Sequence, residues 1–303
     1  MAAPIQTVAI IGRGALGIMY ADAIARAGGD PVFVMDDAHY ERQAGEPVRV
    51  NGTERTFRCV RASQASPADL VVFAVKATAL DDAIELAGPL VGPQTRMLSL
   101  LNGITSEERI AARFGWENLA LAVAQGMDAV RFGNDLTYSQ MGQIRFGAAP
   151  AADPAAVSSI ADYLERTDVP YVLEEDIVHR LWAKFMLNVG VNQTCMVYGG
   201  TYGTVTEPGE QNRTFVAAMR DVVAVANAEG VALTEADLTG MVELMGTLDP
   251  AGMPSMAQDR INRRPSEVEE FAGTLIARAE RHGILVPTNR WLYERVKHIE
   301  GEY

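Results

Sequence analysis

Along the first half of the chain the apolar positions come in short unbroken runs. TVAIIG, PVFVMDD, DLVVFAVKA, TRMLSLLNG and NLALAVAQGMDA are the main ones. A continuous apolar run predicts a strand covered on both faces, the condition of a buried parallel sheet. Between these runs the spacing changes. ALGIMYADAIARAGG and ALDDAIELAGPL carry helical periodicity, and the first stops at Gly28-Gly29, a normal helix terminator. LTYSQMGQIRFGA alternates and predicts a hairpin. Strand, helix and strand in this order predict an α/β fold built on a doubly wound parallel sheet.

Near residue 150 the pattern shifts. AAPAADPAA is a loop leading into the helix AVSSIADYLERT, and PYVLEE reads as a last strand. Beyond residue 174 the periodicity is helical almost throughout, over about 175–198, 210–229, 234–247, 255–262, 266–282 and 288–299. Gly199-Gly200, Pro208, Pro250, Pro254, Pro265 and Pro287 punctuate these segments. The chain therefore divides into an α/β domain, residues 1–173, and an all-helical domain, residues 174–303.

Composition narrows the function. The 303 residues are 48% hydrophobic and 21% charged, as in an ordinary globular protein. A net charge of −13 argues against nucleic acid or an anionic membrane as partner, since both need a basic footprint. A small anion held by local cations and a helix N-terminus is still compatible. Cys59 and Cys195 stand far apart in apolar stretches and suit buried thiols of a reducing compartment. MAAPIQTVAIIG lacks a charged segment followed by a long apolar one, and no apolar run reaches a membrane span, so a cytoplasmic protein is expected. His39, His179, His282 and His298 show no metal-ligand spacing.

The chemistry starts at GRGALG, Gly12-Arg13-Gly14-Ala15-Leu16-Gly17, set between the first strand and the first helix. Gly12 permits a tight turn, Gly14 lets backbone approach a pyrophosphate, and Gly17 lets the helix pack closely. This predicts a Rossmann-type dinucleotide-binding domain. Asp36 and Asp37 follow at the end of the second strand, about 20 residues beyond Gly17, where such folds read the adenosine ribose. A carboxylate there accepts from ribose hydroxyls and repels a 2′-phosphate, favouring NAD(H), while nearby Arg42 leaves room for NADP(H). Lys76 and Asn102 end the third and fourth strands, at the edge where open sheets bind ligands.

WAKFMLNVGVNQ, residues 182–193, is apolar nearly all round yet sets Lys184, Asn188 and Asn192 four apart along one stripe. Asn188, Gly190 and Asn192 together cost on the order of 2 kcal/mol of helix propensity relative to alanine. A polar ligand in a crevice would give such groups partners.

Taken together, GRGALG, Lys76 in AVKA, Asn102 in LNG, WAKFMLNVGVNQ and PSMAQDRINRRPSEVE resemble the ketopantoate reductase family, which includes related D-2-hydroxyacid dehydrogenases. The resemblance spans nearly the whole chain. It implies a two-domain enzyme that transfers hydride from a nicotinamide coenzyme to a small 2-oxo acid. It further implies Lys184 as general acid, Asn188 and Asn192 as substrate-holding amides, and Asn102 as the residue fixing the carbonyl and the lysine. Lys76 is implied to lie by nicotinamide and substrate, Ser255 to bind the substrate carboxylate, and Glu267 to steer the lysine and reach the coenzyme. Locally, Ser255 with Gln258 also fits a capping box, and Glu267 a favourable first-turn acid.

One departure stands out. Pantothenate-pathway members commonly carry arginine where this chain has Asp36, which turns the expectation toward NAD(H) and toward other branched or aromatic D-2-hydroxy acids. VNQTCMVYGGTYGTV, rich in small residues and tyrosine, follows the helix and is expected to reshape the substrate pocket. A β-hydroxyacid dehydrogenase and a non-catalytic NAD-sensing protein are the competing readings, and the helical domain could support a homodimer.

Overall fold

A computed structural model describes residues 4–303, so the first three residues of the N-terminal stretch lie outside it. The chain forms two compact units. One holds the chain up to Asn102 and Ser106–Ile177, the other Gly103–Thr105 and Val178–Tyr303.

Twelve strands occur among the described residues of the first unit. They are β1 (Val8–Ile11), β2 (Pro31–Met35), β3 (Val48–Val50), β4 (Thr53–Arg55), β5 (Arg58–Arg61) and β6 (Leu70–Phe73). Then follow β7 (Arg96–Ser99), β8 (Leu119–Met127), β9 (Val130–Phe132), β10 (Asp135–Thr137), β11 (Met141–Ala148) and β12 (Tyr171–Leu173). Eight of them form one sheet in the order β12-β11-β8-β7-β6-β1-β2-β5. Val8 and Ile10 of β1 face one core with Ile18 and Met19 of α1 (Ala15–Arg26), whereas Ala9 and Ile11 face another with Leu80 and Ile84. Both faces are thus covered, and this is why the strands read as continuous apolar runs. Each fully buried aliphatic side chain contributes roughly 1.5–3 kcal/mol.

The sheet is mixed rather than wholly parallel. β8 and β11 pair antiparallel, with Met141 opposite Met127 and Ala148 opposite Ala120. The expected hairpin within residues 136–148 does not form either. Its first part becomes β10 in a separate four-stranded sheet, order β4-β3-β10-β9, and its second part becomes β11. Alternation marked the strands correctly, but the Ser139-Gln140 segment between them passes from one sheet to the other instead of reversing within one.

The second unit is helical. A 22-residue helix, Ile177–Tyr198, runs through it and is about 33 Å long. Gly190 lets the helix Glu210–Ala228 pack closely, since a Cβ there would stand 2.8 Å from Phe215 and Met219. Buried Gln193 donates to Asn289 Oδ1 at 3.1 Å, tying in the helix Pro287–Glu300. Trp182 stacks under the Arg278 guanidinium at 5.6 Å, and Phe185 meets Phe271 at 6.5 Å. No helix of the described residues is long and apolar enough to cross a membrane.

Candidate active site

The glycine-rich turn leaves β1 and enters α1. Gly12 takes φ 111°, and a Cβ on it would lie 2.4 Å from the Ala74 carbonyl oxygen beyond β6, so glycine is required by both conformation and space. Gly17 would collide with the Gly12 carbonyl at 2.0 Å. Gly14 differs. It caps α1 with extended backbone, and its missing Cβ would find nothing nearer than 3.7 Å. The space beside Gly14 is open. Ala15 and Leu16 form the first turn of α1, whose free amides suit a phosphate.

A cavity of about 820 Å³ opens beside the turn, within the range of ligand clefts. Gly12, Arg13 and Asp36 line it, and Val34, Ala83, Leu86 and Pro89 give it the apolar surface an adenine ring suits. Arg13 is 9% exposed, and its Nε is buried without a hydrogen-bond partner. Gly14, Ala15, Leu16, Gly17, Lys76 and Asn102 lie outside this lining.

Asp36 stands one residue past β2 and caps the helix Asp37–Gln43. Its Oδ1 accepts from the His39 amide at 2.7 Å, and its Oδ2 lies 2.5 Å from His39 Nδ1. The amide bond is the main reason its carboxyl is held below the ordinary range. Asp36 is therefore a helix cap as well as the residue the sequence expects at the ribose. Arg42 is exposed and lies outside the cavity lining, while Arg61, not Arg42, pairs with Asp37 at 2.9 Å.

Lys76 and Asn102 do not end strands, as expected from sequence; each lies three residues beyond one, after β6 and β7. Because β2, β1, β6 and β7 are neighbours, Asp36, the glycine turn, Lys76 and Asn102 follow strand ends that are adjacent along one edge. The order reverses between β1 and β6, the switch point at which such sheets bind ligands. Lys76 is exposed and Asn102 half-buried.

In the second unit, Lys184 and Asn188 are half-buried and Asn192 is 5% exposed. Asn192 Oδ1 accepts from Ser255 Oγ at 3.0 Å and from the Met256 amide at 3.2 Å. The capping box expected of Ser255 and Gln258 is absent. Pro254 takes the cap position, Ser255 is the first residue of the helix Ser255–Ile261, and its hydroxyl turns to Asn192. Glu267 is half-buried and precedes a π-helical turn, Glu269–Gly273, a distortion often found at functional sites. Within the same unit Glu270 on that turn accepts from Thr105 Oγ1 at 2.7 Å.

The small-residue run also gains a role. Tyr202 and Gly203 donate backbone hydrogen bonds to Gly252 and Pro250, both at 2.9 Å, and a Cβ on Gly203 or Gly252 would meet the opposing segment at 3.0 Å or less. This clamps the loop leading to Ser255. Arg260 Nη1 donates to the Met196 and Val197 carbonyls at 2.6 and 3.0 Å, fixing the Ser255 helix to the end of the long one. Sequence reasoning missed His39 and Ser63 in the cavity lining. His39 had a signal, an amide three residues after a capping aspartate, and Ser63 had none.

Residues 8–151 match the family model described as ketopantoate reductase PanE/ApbA, and residues 176–300 match its C-terminal counterpart. The 2-dehydropantoate 2-reductase of Vibrio cholerae is 26% identical over 301 residues, covering 98% of this chain and 99% of that relative. The solved 2-dehydropantoate 2-reductase of Geobacter metallireducens is 27% identical, with a TM-score of 0.85 over 96% of this chain and 99% of that one. At 22% identity, where fold alone is shared, D-mandelate dehydrogenase with NADH and anilino(oxo)acetate gives a TM-score of 0.86 over 98% of both chains.

Proposed function

The chain belongs to the ketopantoate reductase family, and from that premise we propose that it reduces ketopantoate, or a 2-oxo acid of similar branching, to the 2-hydroxy acid. The observation that carries this reading is the stripe on the long helix. Lys184 and Asn188 stay half-buried while Asn192 already holds the hydroxyl of Ser255. An ammonium and an amide-anchored hydroxyl are the groups a 2-oxo acid needs, for its carbonyl oxygen and its carboxylate.

The first unit fits a nicotinamide dinucleotide, because Gly14 leaves space for a phosphate and Arg13 carries a buried Nε without a partner. When bound, the coenzyme supplies the hydride. Lys184 Nζ holds the proton destined for the developing alkoxide, and Glu267 steers that lysine. Asn188 and Asn192 hold the substrate's polar groups, Ser255 receives its carboxylate, and Asn102 and Lys76 orient the carbonyl. Asp36 reads the adenosine ribose and makes NADH the preferred donor over NADPH. A homodimer is part of this reading.

A second substrate range is favoured by Asp36 itself. A carboxylate at the ribose position suits an NAD-dependent D-2-hydroxyacid dehydrogenase acting on branched or aromatic substrates. One experiment separates the readings: coenzyme oxidation with NADH and with NADPH against ketopantoate, other branched 2-oxo acids and an aromatic 2-oxo acid. Turnover of ketopantoate supports the first reading, and turnover confined to the aromatic acid supports the second. No turnover of any 2-oxo acid refutes both.

A further inference from the structure

We propose that Arg131, on β9 of the small sheet, joins Arg13 to form a two-guanidinium clamp for the pyrophosphate of the coenzyme. The inference rests on the reading that the glycine-rich turn takes a dinucleotide.

Arg131 is 118 residues from the turn in sequence, yet its Nη1 donates to the backbone carbonyl of Arg13, and its Nε donates to the Gly133 carbonyl at 2.9 Å. Arg13 in turn donates from Nη2 to the Glu46 carbonyl at 2.5 Å. Every hydrogen bond these two side chains make among the described residues ends on a backbone carbonyl, and neither forms an ion pair with a carboxylate. Arg13 Nε is left buried with no partner at all. Burial works against the charge of both guanidiniums, and the charge of Arg13 works further against that of Arg131. The carboxylate of Glu46 helps Arg13 only through space.

Two neighbouring cations, Arg13 buried and Arg131 half-buried, without a bound counter-charge are an arrangement that an anion stabilises. The anion has to lie at the turn, where the first amides of α1 also point. A pyrophosphate diester brings two negative charges to that place, matching the two guanidiniums. The remaining charged groups lining the adjoining cavity, Asp36, Asp82 and Glu85, are acidic, so the arginine end is where an anionic group is drawn. A chain of net charge −13 repels anions at long range, and a local pair of cations counters that at the point of contact.

The test is equilibrium binding of adenosine, ADP and NADH by calorimetry to the wild type, Arg131→Met and Arg131→Lys. Methionine keeps most of the volume without the charge, and lysine keeps the charge. The expected result is that Arg131→Met weakens ADP and NADH on the order of ten- to a hundredfold while adenosine binding is unchanged, and that Arg131→Lys recovers part of the loss. The salt dependence of ADP binding should also become shallower in Arg131→Met. Unchanged ADP binding in Arg131→Met overturns the clamp, as does an equal loss for adenosine and ADP, which marks a brace for the turn only. A wild type that binds none of the three overturns the dinucleotide reading itself.

Discussion

Replacing Gly14 with alanine should separate coenzyme binding from stability. Gly14 has φ −83° and ψ −170°, extended backbone that alanine adopts without strain. The new methyl would stand 3.7 Å from the Ala74 carbonyl oxygen, an ordinary contact. Reduced freedom of the unfolded chain gains a few tenths of a kcal/mol, and the weaker cap loses about as much. The net change in stability is therefore within about 0.5 kcal/mol. A phosphate drawn to the amides of α1, however, would meet that methyl. Overlap of this kind costs roughly 1–3 kcal/mol, or on the order of 5- to 150-fold in Kd. Gly12→Ala is the contrast. It forces φ 111° on a side chain and sets its Cβ 2.4 Å from Ala74. Left-handed strain of about 1–2 kcal/mol adds to an overlap of about 1–3 kcal/mol. Its melting temperature should drop by roughly 5–15 °C. Thermal unfolding and NADH fluorescence titration on the same samples read both effects. If Gly14→Ala binds NADH like the wild type, no phosphate lies against Gly14, and if it unfolds as early as Gly12→Ala, the space beside Gly14 is not open.

Three further outcomes follow from particular side chains. Asp36→Arg should move the ratio of kcat/KM for NADPH over NADH upward by at least tenfold; steady-state kinetics with both coenzymes reads it, and an unchanged ratio means Asp36 does not meet the ribose. Ser255→Ala removes one hydrogen bond to Asn192 and should raise KM for the 2-oxo acid about tenfold with a stability loss near 1 kcal/mol; a change confined to stability would leave Ser255 only a structural role. Glu107 lies buried, accepting from Ser106 Oγ at 2.7 Å, and burial pushes its carboxyl up to about 7. A carboxyl raised in the folded state contributes stability in full below the unfolded value near 4.3, and that contribution is lost as pH rises through about 7. Denaturant unfolding from pH 4 to pH 8 should therefore show a decline of about 3 kcal/mol that Glu107→Gln removes, and an equal slope in the variant would assign the decline elsewhere.

The large sheet was legible because both faces of β1, β2, β6 and β7 are covered, which writes itself as unbroken apolar runs. The small sheet was not, since its strands are three residues long and too short for periodicity to register. One signal for it existed. Asn51-Gly52, flanked by Val50 and Thr53, turns β3 into β4 with positive φ at both residues, as a tight hairpin requires. The Lys184, Asn188 and Asn192 stripe could be read from spacing, but the reason for Gly190 in the same helix could not, because Phe215 and Met219 come from a helix far along the chain. Ser255 misled for a related reason: its local sequence fits a cap, and only the tertiary approach of Asn192 redirects its hydroxyl. Arg131 left no mark at all, since nothing within its own hairpin points to Arg13.

The most direct measurement is the single-turnover rate of NADH oxidation by a reducible 2-oxo acid in Lys184→Ala, with coenzyme affinity determined alongside. With Lys184 as the proton donor, the rate falls by roughly 10²–10⁴-fold and the Kd for NADH is unchanged. A rate equal to that of the wild type would contradict that role, because the proton would then reach the alkoxide from another group.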